Sequence, residues 1–110
     1  MEKVPLAAVA RDQAARAVTA GGGHAAGTVY GSRGTALRQT VIGMRQGARL
    51  AEHENPGEAT VQVLRGRVRM IAGTESCEAG AGDLLVVPDA RHSLEALEDS
   101  AVLLTVVRAP

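Results

Sequence analysis

The sequence predicts an all-β barrel or sandwich, preceded by a short N-terminal appendage that is helical or disordered. Three observations lead there. From Thr28 onward the chain is cut into short apolar-rich runs by Gly, Pro, Asn and Asp at fairly even intervals, the pattern of many short strands joined by turns. The connections between those runs are too short for the crossover helices of a parallel sheet. A helical repeat is confined to the stretch before Gly21-Gly22-Gly23.

That stretch, residues 6–18 (LAAVARDQAARAV), is rich in good helix formers and has Pro5 at its start. Leu6, Val9, Ala10, Ala14 and Ala17 fall on one face. Their apolar payload is small, so a helix here must be held by docking on the body. The glycine triplet then acts as a joint, with His24 on it. The chain therefore divides into an appendage, residues 1–23, and a barrel, residues 24–110, and removal of residues 1–20 is expected to leave the barrel folded.

The strand-like runs follow in order. Thr28-Val29-Tyr30 ends at Gly31-Ser32. Residues 36–45 end at Gly47. Residues 49–53 are closed by Asn55-Pro56-Gly57, a strong turn sequence. Residues 59–64 and 66–71 meet at Gly66. Ala72-Gly73-Thr74 leads into Ser76 and Cys77, and Gly80-Ala81-Gly82-Asp83 leads into residues 84–87, which Pro88 ends. Residues 92–97 and 101–107 complete the set. Met44 and Met70 are expected to fill gaps in a core without Phe or Trp.

The last run, residues 101–107 (AVLLTVV), is apolar at every position but Thr105. A strand with one wet face alternates, so this one needs cover on both sides. A second subunit is the expected cover, which predicts a homodimer. Arg65, Arg67 and Arg69 alternate with other residues, placing three guanidinium groups on one strand face. A solvated face with carboxylate partners is the favoured reading over an anion-binding patch.

Composition narrows the function. Lys plus Arg and Asp plus Glu number 12 each, for a net charge of zero, which gives no electrostatic reason for a nucleic-acid or anionic-membrane partner. Tyr30 is the one residue among Phe, Tyr and Trp, so no stacking platform for bases exists. No apolar run approaches the ~20 residues a membrane helix needs, and Arg11, Asp12 and Arg16 interrupt the segment where a secretory signal would lie. A single cysteine, Cys77, excludes an intrachain disulfide and suits a reducing compartment. The expected location is the cytoplasm.

Two segments carry the functional signal. In residues 47–66, Gly47, His53 and Gly66 stand in the pattern Gly, five residues, His, and onward to Gly; in residues 80–94, Gly82, Pro88 and His92 follow in order. Together these resemble the two motifs of the cupin superfamily, whose first runs Gly, five residues, His, one, His, three, Glu, six, Gly. Val63-Leu64-Arg65-Gly66-Arg67-Val68 is similar to that family's usual bend, and the interval from Pro88 to His92 is one residue shorter than the commonest. The resemblance spans residues 36–107. It implies a cupin-type jelly-roll barrel, a double-stranded β-helix, with His53, Asn55 and His92 facing a central ligand pocket.

In metal-binding cupins two His, one Glu and a later His converge on a divalent metal. Here the second His position holds Asn55 and the Glu position holds Ala59, leaving His53 and His92. One divalent Zn, Fe, Mn, Ni or Cu on those two imidazoles is the metal reading. Glu58 lies next to the missing carboxylate, but strand alternation turns it to the opposite face unless a bulge near Pro56-Gly57 shifts the register. The resemblance thus implies a barrel that binds a small molecule, with the reaction open. The alternatives are a metal-dependent dioxygenase or isomerase using His53 and His92, and a ligand-sensing regulatory barrel.

Overall fold

The computed structural model describes residues 1–53 and 57–108, with residues 52 and 53 described by their backbone. A helix α1, Leu6–Thr19, precedes nine strands: β1 His24–Tyr30, β2 Leu37–Met44, β3 Arg49–His53, β4 Gly57–Arg65, β5 Arg67–Ala72, β6 Glu75–Gly80, β7 Leu84–Val86, β8 His92–Ala96 and β9 Ser100–Arg108. They form two antiparallel sheets, a five-stranded one in the order β1-β2-β9-β4-β7 and a four-stranded one in the order β3-β8-β5-β6. This is a jelly-roll barrel, the form that the cupin resemblance implies and within the all-β class that the turn spacing predicts. The first strand begins earlier than its apolar content announced: Ala25, Ala26 and Gly27 pair with β2 although none of them favours strands by itself. His24 accordingly sits on a strand rather than on a glycine joint.

Two apolar clusters hold the molecule, one on each side of the five-stranded sheet. Inside the barrel lie Ile42 and Met44 from β2, Val61 and Val63 from β4, Val68 and Met70 from β5, Leu94 and Ala96 from β8, and Val102 from β9. Outside it, Val41, Ala101 and Leu103 pack against Ala10 and Ala14 of α1. Strand alternation explains the division, since neighbours such as Leu103 and Val102 point to opposite faces. The apolar run of β9 is therefore covered twice, once by the barrel interior and once by α1. The helix supplies the cover that the sequence pattern assigned to a second subunit. Residues 1–23 are correspondingly more than an appendage, because Ala10 and Ala17 are fully buried. α1 is the one helix among the described residues, and no helix is long and apolar enough to cross a membrane.

Small residues make that helix docking feasible. Gly43 of β2 faces α1 so closely that a Cβ there would overlap the Gln13 carbonyl, and a Cβ on Gly27 would meet the Gln13 amide at 2.9 Å. At the other critical glycine, Gly66, φ is +78°, a conformation that glycine adopts without a Cβ penalty. The chain passes there from the five-stranded sheet to the four-stranded one. Ser100 staples the corner: its Oγ accepts from the Arg67 backbone N–H at 3.0 Å and donates to the Glu98 carbonyl at 2.7 Å.

Candidate functional site

Strand β8 carries the site. Its alternate residues His92, Leu94 and Ala96 share one face, and the last two belong to the barrel core. Register pairs Leu94 with Leu50 of β3 and with Met70 of β5. It pairs His92 with His53, after an irregularity between Leu50 and His53. Positions directly opposite in an antiparallel ladder fall on the same face with Cα atoms ~4.5–5.5 Å apart. Backbone pairing therefore brings together the two positions, 53 and 92, that the sequence singled out.

His92 is buried, at 5% exposure, on the face of β8 that also carries the core residue Leu94. Its Nδ1 lies 2.9 Å from the Ala90 carbonyl oxygen. A carbonyl can only accept, so in the neutral ring Nδ1 carries the proton and Nε2 carries the lone pair. The turn after Pro88 thus fixes both the orientation and the tautomer of the ring. Such a backbone carbonyl behind an imidazole is the usual way to aim the other nitrogen at a metal, a proton or a ligand donor.

The remaining candidates divide. Asn55 lies outside the described residues. Ala59 shares the inner face of β4 with Val61 and Val63 and has no donor atom. Glu58 is exposed and registers with Val107, itself exposed, on the opposite face. The β4 ladder runs without a shift from Gly57 to Val63, so the bulge that would turn Glu58 inward is absent from that stretch. His24 is exposed at the far end of the sheet: it registers with Met44, and Met44 with Ser100, whereas Gly57 pairs with Arg108 at the other end of β9. Among the described residues no group of three or more His, Cys, Asp or Glu could hold a metal ion. Among the described residues, His92 offers one imidazole and Ala59 offers no donor atom at the position of the family's carboxylate; the side chains of His53 and Asn55 lie outside the described residues.

The arginines proved structural. Arg65 ends β4, before the Gly66 corner, and so does not share a strand face with the other two. Arg67 and Arg69 lie on β5, where both reach Glu78, at 3.3 and 3.5 Å, and Arg69 also reaches Glu95 at 3.7 Å. Arg49 donates to Ser93 Oγ at 3.1 Å. Carboxylate partners on an outer face are what the sequence favoured for the last two arginines. Cys77 is exposed on β6, opposite Met70 in the ladder. A cleft of about 370 Å³ lined by Met70, Cys77, Leu84, Leu85 and Pro88 lies there. A second, of about 560 Å³, is lined by residues 57–60 with Val86, Val87 and Asp89.

The model of the family described as the cupin domain matches residues 40–108. The chain belongs to the cupin-domain family. Solved structures agree on the fold. This cupin is 26% identical to a conserved protein of unknown function from Streptococcus pyogenes, covering 83% of this chain and 79% of that one with a TM-score of 0.73. A cupin superfamily protein from Desulfitobacterium hafniense superposes with a TM-score of 0.77 over 98% of this chain and 92% of that one, at 15% identity. That coverage takes in α1 as well as the barrel. KdgF from Halomonas sp. matches with a TM-score of 0.67 at 23% identity, covering 83% of this chain and 85% of that one. No curated protein sequence matches.

Proposed function

We propose that this cupin binds a small molecule at the end of the barrel where β3 meets β8, with His92 as its polar anchor and no resident metal. The observation that carries the reading is the His92 ring, buried with its tautomer fixed by the Ala90 carbonyl. Burying an imidazole is costly unless its polar atoms are used. An imidazole held through Nδ1 suits a small, largely apolar ligand that carries one hydrogen-bond donor. A hydroxyl, a protonated carboxyl or an amide N–H qualifies. His53, the register partner of His92, and Asn55 are the other pocket residues that the family resemblance implies.

Thermal shift against a panel of small alcohols, acids and amides tests this. Compounds of that class should raise Tm by a few degrees in the wild type and leave His92→Phe, which keeps ring volume without nitrogen, unchanged. A panel without hits, or hits indifferent to the substitution, sinks the reading. The metal half is tested by elemental analysis of untagged protein after incubation with micromolar Zn²⁺, Mn²⁺, Fe²⁺ or Ni²⁺. The expected content is far below one ion per chain. Stoichiometric metal that disappears in the His53→Ala, His92→Ala double variant would instead establish a metallo-cupin and support the dioxygenase or isomerase reading.

A further inference from the structure

We propose that the open seam between β6 and β7 binds a small organic amine, its apolar body lying on the barrel wall and its ammonium group on the Glu75 carboxylate. β6 ends the four-stranded sheet and β7 ends the five-stranded one. The chain turns between them at residues 80–83, but the two strands belong to different sheets, so the wall opens along this line. β7 spans three residues, too few to close it. The cleft of about 370 Å³ is the result. Its floor is Met70 and Leu85, both buried, and its rim is Leu84 and Val86, 59% and 75% exposed. Aliphatic side chains left in water around an apolar floor gain free energy when an apolar body covers them.

Alternation along β6 decides which of its side chains meet the cleft. Ala79 belongs to the barrel core and registers with Val68, Cys77 registers with Met70, and Glu75 registers with Ala72. Positions 75, 77 and 79 therefore share the core-facing side of the strand. A carboxylate on that side departs from the apolar-in, polar-out pattern of an antiparallel sheet. Glu78, on the opposite face, is matched by Arg67 and Arg69. Glu75 takes part in no ion pair among the described residues, and it is the one charged side chain that lines the cleft. A single negative charge beside an apolar hollow sets the sign of the ligand.

An ammonium carried on a hydrocarbon body uses both features at once. Its N–H groups donate to the carboxylate in charge-assisted hydrogen bonds, and its body lies on Met70, Leu85 and Val86. A bare divalent ion is a poorer match, because such ions ask for several oxygen ligands and the other polar lining residues are Ser76 and Cys77. The volume is at the small end of ligand pockets, which suits one aromatic ring with a short tail. None of the residues lining this cleft belongs to β3 or β8, so the site is distinct from the one anchored by His92.

Three probes of similar size and different charge test the proposal: 2-phenylethylamine, 2-phenylethanol and phenylacetate. Titration calorimetry at neutral pH gives their affinities, and the rate at which methyl methanethiolsulfonate modifies Cys77, which lines the cleft and is exposed, reports where they sit. The amine should bind most tightly and slow Cys77 modification in proportion to its occupancy, the alcohol should bind more weakly, and phenylacetate should neither bind nor protect. Glu75→Gln, an exposed substitution, should raise the Kd of the amine by roughly threefold or more while leaving that of the alcohol unchanged. Glu78→Gln, on the other face of the same strand, should alter neither. Equal binding of amine and alcohol, amine binding without protection of Cys77, or an amine affinity indifferent to Glu75→Gln would each overturn the proposal.

Discussion

Gln13 is the residue whose chemistry fits its surroundings least. It is 8% exposed at the interface between α1 and the sheet, and its Oε1 is buried without a hydrogen-bond partner. An unmet buried polar atom costs ~1–3 kcal/mol, and an apolar side chain of similar shape removes that cost. Gln13→Met is accordingly expected to stabilise the fold by ~1 kcal/mol, read as a Tm rise of several degrees in thermal unfolding. Gly43 runs the other way. A methyl group there overlaps the Gln13 backbone, which cannot yield without moving the helix. Gly43→Ala should cost ~2 kcal/mol or more, measured by urea denaturation. An unchanged midpoint would mean that α1 rides on the sheet loosely. His92 differs from both, because its buried ring is held by the Ala90 carbonyl. Replacing it tests function more directly than stability.

Among the elements, α1 carries the sharpest consequence. Ala10 and Ala14 are small, yet they cover Val41, Ala101 and Leu103, all within 7% of complete burial. Apolar area left bare by losing the helix is worth ~25 cal/mol per Å², and the uncovered strands β2 and β9 are central ones. Deleting residues 1–20 is therefore expected to lower the urea midpoint sharply and to bring concentration-dependent aggregation, followed by light scattering. This replaces the expectation that the barrel stands unaided. A radius of gyration of 13.2 Å, against ~13 Å for a compact chain of this length, agrees with a helix laid on the body. The charged ladder of β5 has little leverage by comparison. Arg67 and Glu78 keep about half their side-chain surface in water, so Glu78→Gln should change stability by less than ~1 kcal/mol.

At the scale of the whole molecule, the two apolar clusters share strands. β2 sends Ile42 and Met44 inward and Val41 outward, and β9 sends Val102 inward and Leu103 outward. Neither cluster can come apart while the other stays formed, since each would have to give up the strands of its neighbour. The helix and barrel should therefore unfold as one unit. Far-UV circular dichroism, which follows the strands and the helix, and the fluorescence of Tyr30, which reports on the end of β1, should give coincident urea transitions. A separate early transition in the Tyr30 signal would show that β1 frays independently of the core.

The sequence by itself determined the class of fold, the glycine corner at Gly66 and the two positions, 53 and 92, that the β3–β8 ladder sets opposite each other. Those features are local. A glycine at a bend, or a histidine at a fixed distance from a glycine, is visible without knowing what lies across the sheet. That Asn55 and Ala59 occupy the places of the family's second His and its Glu was equally legible. The role of α1 was not. Its alanines look weak taken alone, and only the close approach allowed by Gly43 and Gly27 makes them sufficient cover. The separation of Arg65 from Arg67, the stapling of the Gly66 corner by Ser100 and the place of β1 at the edge of its sheet were decided the same way. Each depends on which strands become neighbours, and that is settled by burying both faces of one sheet at once, a condition no single stretch of sequence contains.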